Sequence, residues 1–268
     1  MPPLIQPFRP STHHRASSAA TAAIAGVLLW SCAAPCAFAE DAISPDRPDF
    51  TNGPDVMAPG RLQLETSGAW QRDASSRLRS TPTLLRLGLS HDVELRLETD
   101  GALRQSGTAA SGRGDVAVGF KWQLQEGDGA QPGLGWLVSV QTPTGSGPFK
   151  GQGLRPAVNF LAQWSLPAGL SLGTMAGAFV ERNDEGRRYT AALASASLGF
   201  PLGDKLHGFA ELAAQQLAAG RNGGDVVTAG SGLAWQLTED AQLDAAVFRG
   251  LNRRTPDWIW TLGLSLRF

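Results

Sequence analysis

The chain has 268 residues, with 23 basic against 24 acidic side chains, a formal net charge of −1, 32 glycines and two cysteines. This near-balance of charge argues against a nucleic-acid partner, and two cysteines cannot staple a small disulfide scaffold. After Glu40 no apolar run approaches the roughly 20 residues of a spanning helix, which excludes a helical membrane protein. It does not exclude a β-barrel, whose strands are apolar on one face only.

The N-terminus reads as a secretory signal peptide, residues 1–39. Arg9, His13, His14 and Arg15 form a basic start, Ala19 to Trp30 an apolar core, and Ala37-Phe38-Ala39 a small-residue cleavage site before Glu40. A membrane anchor is the weaker alternative, because the apolar run is too short to span. A lipoprotein site at Cys32 is disfavoured by the bulky Trp30. Cys32 and Cys36 both precede the cut, so residues 40–268 offer no disulfide, thiolate metal site or cysteine nucleophile. Cleavage leaves 21 basic and 24 acidic residues, a net of −3.

Residues 40–60 carry Pro45, Pro48, Pro54 and Pro59, which exclude a helix or strand interior. From Leu62 onward, alternation of side chains places twelve strands of about nine to twelve residues. They are Leu62–Trp70, Thr81–Leu89, Val93–Gly101, Asp115–Leu124, Leu134–Thr142, Ala157–Leu166, Leu170–Val180, Tyr189–Phe200, Leu206–Gln215, Val227–Leu237, Ala241–Phe248 and Trp258–Phe268. The seventh to ninth are rich in alanine and glycine, and a slip of one residue there would exchange their faces. In the last strand Trp258, Trp260, Leu262, Leu264, Leu266 and Phe268 share one parity against Thr261, Gly263, Ser265 and Arg267.

Connections after even strands are mostly short, as in Ser90-His91-Asp92 and Pro167-Ala168-Gly169. Those after odd strands are mostly longer, such as Arg72 to Ser80, Leu103 to Gly114 and Pro143 to Gly153. Short periplasmic turns and long external loops mark outer-membrane barrels. The connection Gln125 to Pro132 breaks the rule and keeps ten strands as the alternative. Trp122, Trp136, Trp164, Trp235 and Phe268 fall near short-turn ends, and Trp70 and Trp258 near long-loop ends. Two aromatic girdles result, as expected at two membrane interfaces. A soluble β-sandwich would instead place tryptophans in mid-strand. The expected fold is therefore an all-β, antiparallel up-and-down transmembrane barrel over residues 61–268. Its sheet closes because an open edge in hydrocarbon would leave backbone groups unpaired. Twelve strands enclose a lumen.

The inward parity collects Arg86, Glu94, Arg96, Glu98, Asp100, Asp115, Lys121, Asn159, Gln163, Glu211, Gln215, Asp244 and Arg267. Such mixed charge either lines a pore or only holds the barrel's shape, and no single-sign ring marks an ion selector. His91 in a turn and His207 at a strand start are poor candidates for catalysis, and neither metal-ligand spacing nor a phosphate-binding loop is present. Neither an enzyme nor a cofactor is expected.

Three motifs carry a family resemblance. Asp46-Arg47-Pro48-Asp49-Phe50-Thr51, followed by Ala58-Pro59-Gly60-Arg61-Leu62-Gln63-Leu64-Glu65, is similar to the N-terminal signature of the bacterial family called putative MetA-pathway of phenol degradation. Gly114-Asp115-Val116-Ala117-Val118-Gly119-Phe120-Lys121-Trp122 and Gln141-Thr142-Pro143-Thr144-Gly145 resemble two further motifs of it. The resemblance implies an outer-membrane barrel passing small organic or aromatic compounds. The terminal aromatic strand also resembles those of bacterial outer-membrane proteins, which implies that Phe268 is read by the barrel-insertion machinery. Asp46, Arg47 and Asp49 are candidate plug residues that would pair with lumen charges, a mobile tail being the alternative. The functional expectation is a passive channel in the Gram-negative outer membrane, in contact with its lipid and with a small-molecule solute. A non-conducting structural or adhesive barrel with partner-binding loops is the runner-up.

Overall fold

The computed structural model describes residues 42–107, 110–183 and 185–268. The signal peptide expected over 1–39, with Cys32 and Cys36, lies outside the described residues. Among the described residues fifteen strands form: β1 Leu62–Arg72, β2 Arg77–Ser80, β3 Thr83–Gly88, β4 Val93–Thr99, β5 Ala102–Gln105, β6 Ala110–Arg113, β7 Val116–Gln125, β8 Gly133–Thr142, β9 Arg155–Ser165, β10 Ser171–Arg182, β11 Arg188–Pro201, β12 Leu206–Leu217, β13 Val226–Thr238, β14 Ala241–Gly250 and β15 Trp258–Arg267.

Twelve of them close a ring. β1, β3, β4 and β7 to β15 pair antiparallel in succession, and β15 returns to β1 with Gln63 opposite Arg267 and Arg72 opposite Trp258. Two backbone hydrogen bonds between Leu62 and Phe268, at 2.8 and 3.2 Å, finish the seam. The ring thus has no open edge, as hydrocarbon surroundings require.

The long connections expected after the first and third strands are shorter than the sequence implied. Arg72–Ser80 and Leu103–Gly114 contain β2, β5 and β6, which continue the barrel wall beyond the ring at the long-loop end. The local reason for the breaks is Pro82 and two glycines. Pro82 has no N–H to give to a ladder, and its carbonyl accepts Ser67 N–H at 3.0 Å. Gly101, at φ +65°, and Gly114 part β4 from β5 and β6 from β7. The irregular connection from Gln125 holds one isolated bridge, Asp128 with Gln131, and does not reduce the ring to ten.

The exterior carries the exposed large apolar side chains, among them Val118, Phe120, Trp122, Trp136, Leu198, Leu212, Trp235, Trp260 and Leu262. The interior carries Glu65, Arg86, Glu94, Asp115 and Lys121, all at 2 % exposure or less. Such an apolar belt would drive a soluble protein to aggregate, whereas lipid covers it in a barrel. The alanine- and glycine-rich β10 to β12 take their register from neighbours, which turns Met175, Leu193, Ser195, Ser197 and Glu211 inward.

Candidate functional site: the lumen and the segment it encloses

Residues 42–60 run inside the ring. They start at the short-turn rim, where Ile43 N–H donates to the Glu239 carbonyl at 2.8 Å. They rise to Phe50–Asn52 and return to Ala58, whose carbonyl accepts Arg61 N–H at 3.0 Å just before β1. Their contacts divide between a charged and an apolar half of the lumen.

The charged half is built by β1, β3, β4 and β7. Alternation turns Glu65, Arg86, Glu94, Arg96 and Lys121 to one face, and the register stacks them. Arg86 binds Glu94 at 2.8 Å and Glu65 at 3.2 Å, and Arg96 binds Glu94 at 2.8 Å. Asp46 enters this group from the segment, meeting Arg96 at 2.5 Å, Lys121 at 2.9 Å and Arg86 at 3.9 Å. Three cations therefore face three carboxylates only while Asp46 is in place. Burial alone would raise the Asp46 pKa, but Arg86, Lys121 and Arg96 outweigh it and hold the carboxyl well below the usual range. Backbone groups of the segment complete the set: Met57 N–H donates to Glu94 at 2.9 Å, and the Asp55 carbonyl accepts from Arg86 and Lys121, each at 3.1 Å. Asn52 Oδ1 accepts from Arg96 at 3.1 Å.

Across the lumen Arg47 pairs with Asp244 of β14 at 3.0 Å. Gly263 makes room for this pair, since a Cβ there would lie 2.5 Å from the Asp244 carboxylate and 2.6 Å from Arg47 Nε. Glu211 of β12 accepts Thr51 N–H at 2.7 Å, Thr51 Oγ1 at 2.6 Å and Phe50 N–H at 3.0 Å. Asp49, expected to pair with a lumen charge, meets no cation among the described residues. It hydrogen-bonds Ser197 and faces the like charge of Glu211, because the cations of the charged half stand on β3, β4 and β7. Burial first and Glu211 second push its pKa up to about 8.

The apolar half is a cluster of Leu137, Leu161, Met175, Leu193 and Ala213, into which Phe50 inserts at 6 % exposure. Burying that ring contributes about 2 kcal/mol. A second cluster, Phe209, Val226, Ala246, Phe248 and Ile259, lines the wall beside it. Strand parity predicts apolar residues outward and polar ones inward, so these inward apolar residues depart from it. The segment separates two spaces. One of about 290 Å³ opens at the short-turn rim between Ile43, Asp49 and His207, and one of about 70 Å³ lies above Phe50 and Asn52, bounded by Glu98, Arg155 and Asn159.

The remaining candidates are placed as follows. Asp115 accepts Gly145 N–H at 2.7 Å and Gly151 N–H at 2.8 Å, and binds Arg155 at 2.5 Å, which in turn binds Glu181 at 2.8 Å. These bonds fold residues 143–154 against the wall. Asp115 and Gly145 stand in two of the sequence motifs, and the Gly145 N–H bond joins them. Gly145 is needed because a Cβ would sit 2.7 Å from Asp115 Oδ1. Glu98 and Asp100 are half-buried toward the long-loop end. Gln163 lies beside Gly53, and Gln215 donates to Thr228 Oγ1 at 3.3 Å. Arg267 is at the rim, bound to Asp240 at 2.8 Å. Trp70, Trp122, Trp136, Trp235, Trp260 and Phe268 are exposed on the exterior, with Trp164 and Trp258 half-buried there. Glu65, Gln63, Arg155 and Glu181 also face the lumen, beyond the residues that the sequence predicts to line it. Glu65 and Gln63 follow from the parity of the first strand, whereas Arg155 lies before the start assigned to the sixth.

The fold recurs in solved structures. The COG4313 outer membrane channel from Pseudomonas putida F1 superimposes with a TM-score of 0.62 at 14% identity, covering 84% of this chain and 100% of that one. The NanC porin gives 0.55 at 11% identity over 76% and 98%, and the KdgM porin 0.54 at 10% over 77% and 99%. At these identities the likeness establishes the outer-membrane barrel fold alone. Among curated proteins none matches the sequence. The family model described as Putative MetA-pathway of phenol degradation matches residues 45–268, from the segment in the lumen to the last strand, and the chain belongs to that family.

Proposed function

We propose that the chain is an outer-membrane channel through which small solutes, aromatic and hydrophobic ones included, pass passively, and that residues 42–60 plug it. The observation that carries this reading is the Asp46–Thr51 stretch. It is ion-paired to both sides of the lumen and seats an aromatic ring in an apolar pocket between two open spaces. When the segment withdraws, the Phe50 seat is free for another flat apolar group, and the charged wall beside it hydrates. Passage then needs neither nucleotide nor cofactor. The structural neighbours are channels and porins. Residues 1–39 are then a cleaved export signal, and Phe268 the handle for the insertion machinery.

The same packing favours a second reading, a permanently closed barrel that acts through its loops. Bilayer recordings of the intact chain and of a variant lacking Asp46 to Asp55 separate the two. A channel gated by this segment conducts more after the deletion. Equal, absent conductance in both proteins supports the closed barrel, and equal, appreciable conductance removes the plug.

A further inference from the structure

The outer surface of the β1–β2–β5–β6 wall carries arginines that the channel reading does not use. Register places them in cross-strand rows. Arg249 of β14, Trp258 of β15, Arg72 of β1 and Arg77 of β2 stand opposite one another in sequence across four neighbouring strands. In the next row Trp260, Trp70, Arg79 and Arg104 do the same, with Ser111 of β6 opposite Arg104; Arg113 stands two residues further along β6, opposite Ala102 and on the same face. Trp70 and Trp260 are exposed on the exterior, so paired residues share that side.

All six arginines are exposed. Arg72 faces Arg77 directly, and Arg79 faces Arg104. Like charges so placed repel across a sheet, and among the described residues no carboxylate forms an ion pair with any of the six. The nearest acid in sequence, Asp73, accepts its own neighbour Ala74 N–H at 2.7 Å. Elsewhere at this end arginines are engaged: Arg187 with Glu185, and Arg182 with the Gln152 carbonyl. Arg249 lies over the Trp258 ring at 5.0 Å, and Trp258 stacks on Trp260 at 6.1 Å.

Tryptophans of this kind mark the membrane interface, so the guanidinium groups sit at and just beyond headgroup level. Long loops put this end on the cell exterior. A flat group of guanidinium forks a strand spacing apart, above an apolar wall, matches phosphate groups attached to acyl chains. We infer that this face binds a phosphorylated glycolipid of the outer leaflet, phosphates on the arginines and acyl chains along the apolar wall below. The tryptophans lie between the two.

The test uses the full barrel in detergent, titrated in native mass spectrometry with lipid A bearing two, one or no phosphates. The arginine face predicts retention rising with phosphate number, at least tenfold from none to two. It also predicts that 10 mM inorganic phosphate does not displace the lipid. The variant R72Q/R77Q/R79Q/R104Q loses that preference tenfold, while R187Q in the connection between β10 and β11 keeps it. Equal retention of the three lipids by the wild-type barrel overturns the inference without any variant. Displacement by inorganic phosphate overturns it in favour of a free-anion site. Unaltered preference in a quadruple variant that still shows the heat-dependent gel shift of a folded barrel places the lipid elsewhere.

Discussion

Replacing Asp46 by Asn removes one charge and no volume, and its cost can be worked from the contacts. Asp46 meets Arg96, Lys121 and Arg86 at 2.5, 2.9 and 3.9 Å. Without its charge those three cations retain only Glu65 and Glu94. Removing one partner of a buried ion pair costs about 3–5 kcal/mol. The lower figure applies here, because the segment can leave and admit water to the uncompensated cation. About 3 kcal/mol corresponds to roughly a 150-fold rise in the undocked population. Expressed as residues 40–268, which contain no cysteine, the protein can carry Met57→Cys, buried beside Glu94 when docked, as a selective reporter. Its maleimide labelling should accelerate about 100-fold in the Asp46→Asn background. Adding Lys121→Gln restores charge balance and should recover at least tenfold of that loss. Labelling within threefold of the parent would refute the electrostatic account of docking.

Three further outcomes follow from the same contacts. Phe50→Ala empties the apolar seat and should speed Met57→Cys labelling at least tenfold, whereas Phe50→Leu should change it less than threefold; a change under threefold for Phe50→Ala would show that the seat contributes nothing. Asp49, with its pKa near 8 when docked, is a raised acid, so its penalty is absent below about pH 4, grows from there as pH rises and is complete above about pH 8. Channel open probability should therefore climb from about pH 5 to about pH 8 and level off above it, and Asp49→Asn should flatten that climb; an unchanged slope removes Asp49 from the response. Asp115→Ala frees the Gly145 and Gly151 amides and should make trypsin cleave after Lys150 at least tenfold faster in the folded barrel, where an unchanged rate would mean that the loop is held by other bonds.

Much of the fold was legible because two-residue alternation is strong wherever one face meets lipid. Val93, Leu95 and Leu97 against Glu94 and Arg96 left no doubt about β4. The same rule concealed half of the lumen. Leu137, Leu161, Met175 and Leu193 point inward among alanines and glycines, and parity alone cannot tell a lipid-facing from a lumen-facing leucine. They became intelligible only through Phe50, more than 80 residues away in sequence, which fills the space between them. The extensions β2, β5 and β6 were hidden for another reason. Pro82, Gly101 and Gly114 interrupt the alternation, and their neighbours Arg77, Arg79 and Arg104 look like loop residues until pairing places them in a sheet. Asp46, Arg47 and Asp49 stood out by composition and spacing, but their partners required the closed ring.

The most direct measurement is a reversible tether. Thr51 Oγ1 and Ser195 Oγ lie 2.8 Å apart, on the segment and on β11 respectively, so Thr51→Cys with Ser195→Cys should form a disulfide across them. Bilayer conductance of this variant should be minimal when oxidised and rise severalfold on adding reductant. Formation of the disulfide with identical conductance in both states would show that the enclosed segment does not control passage.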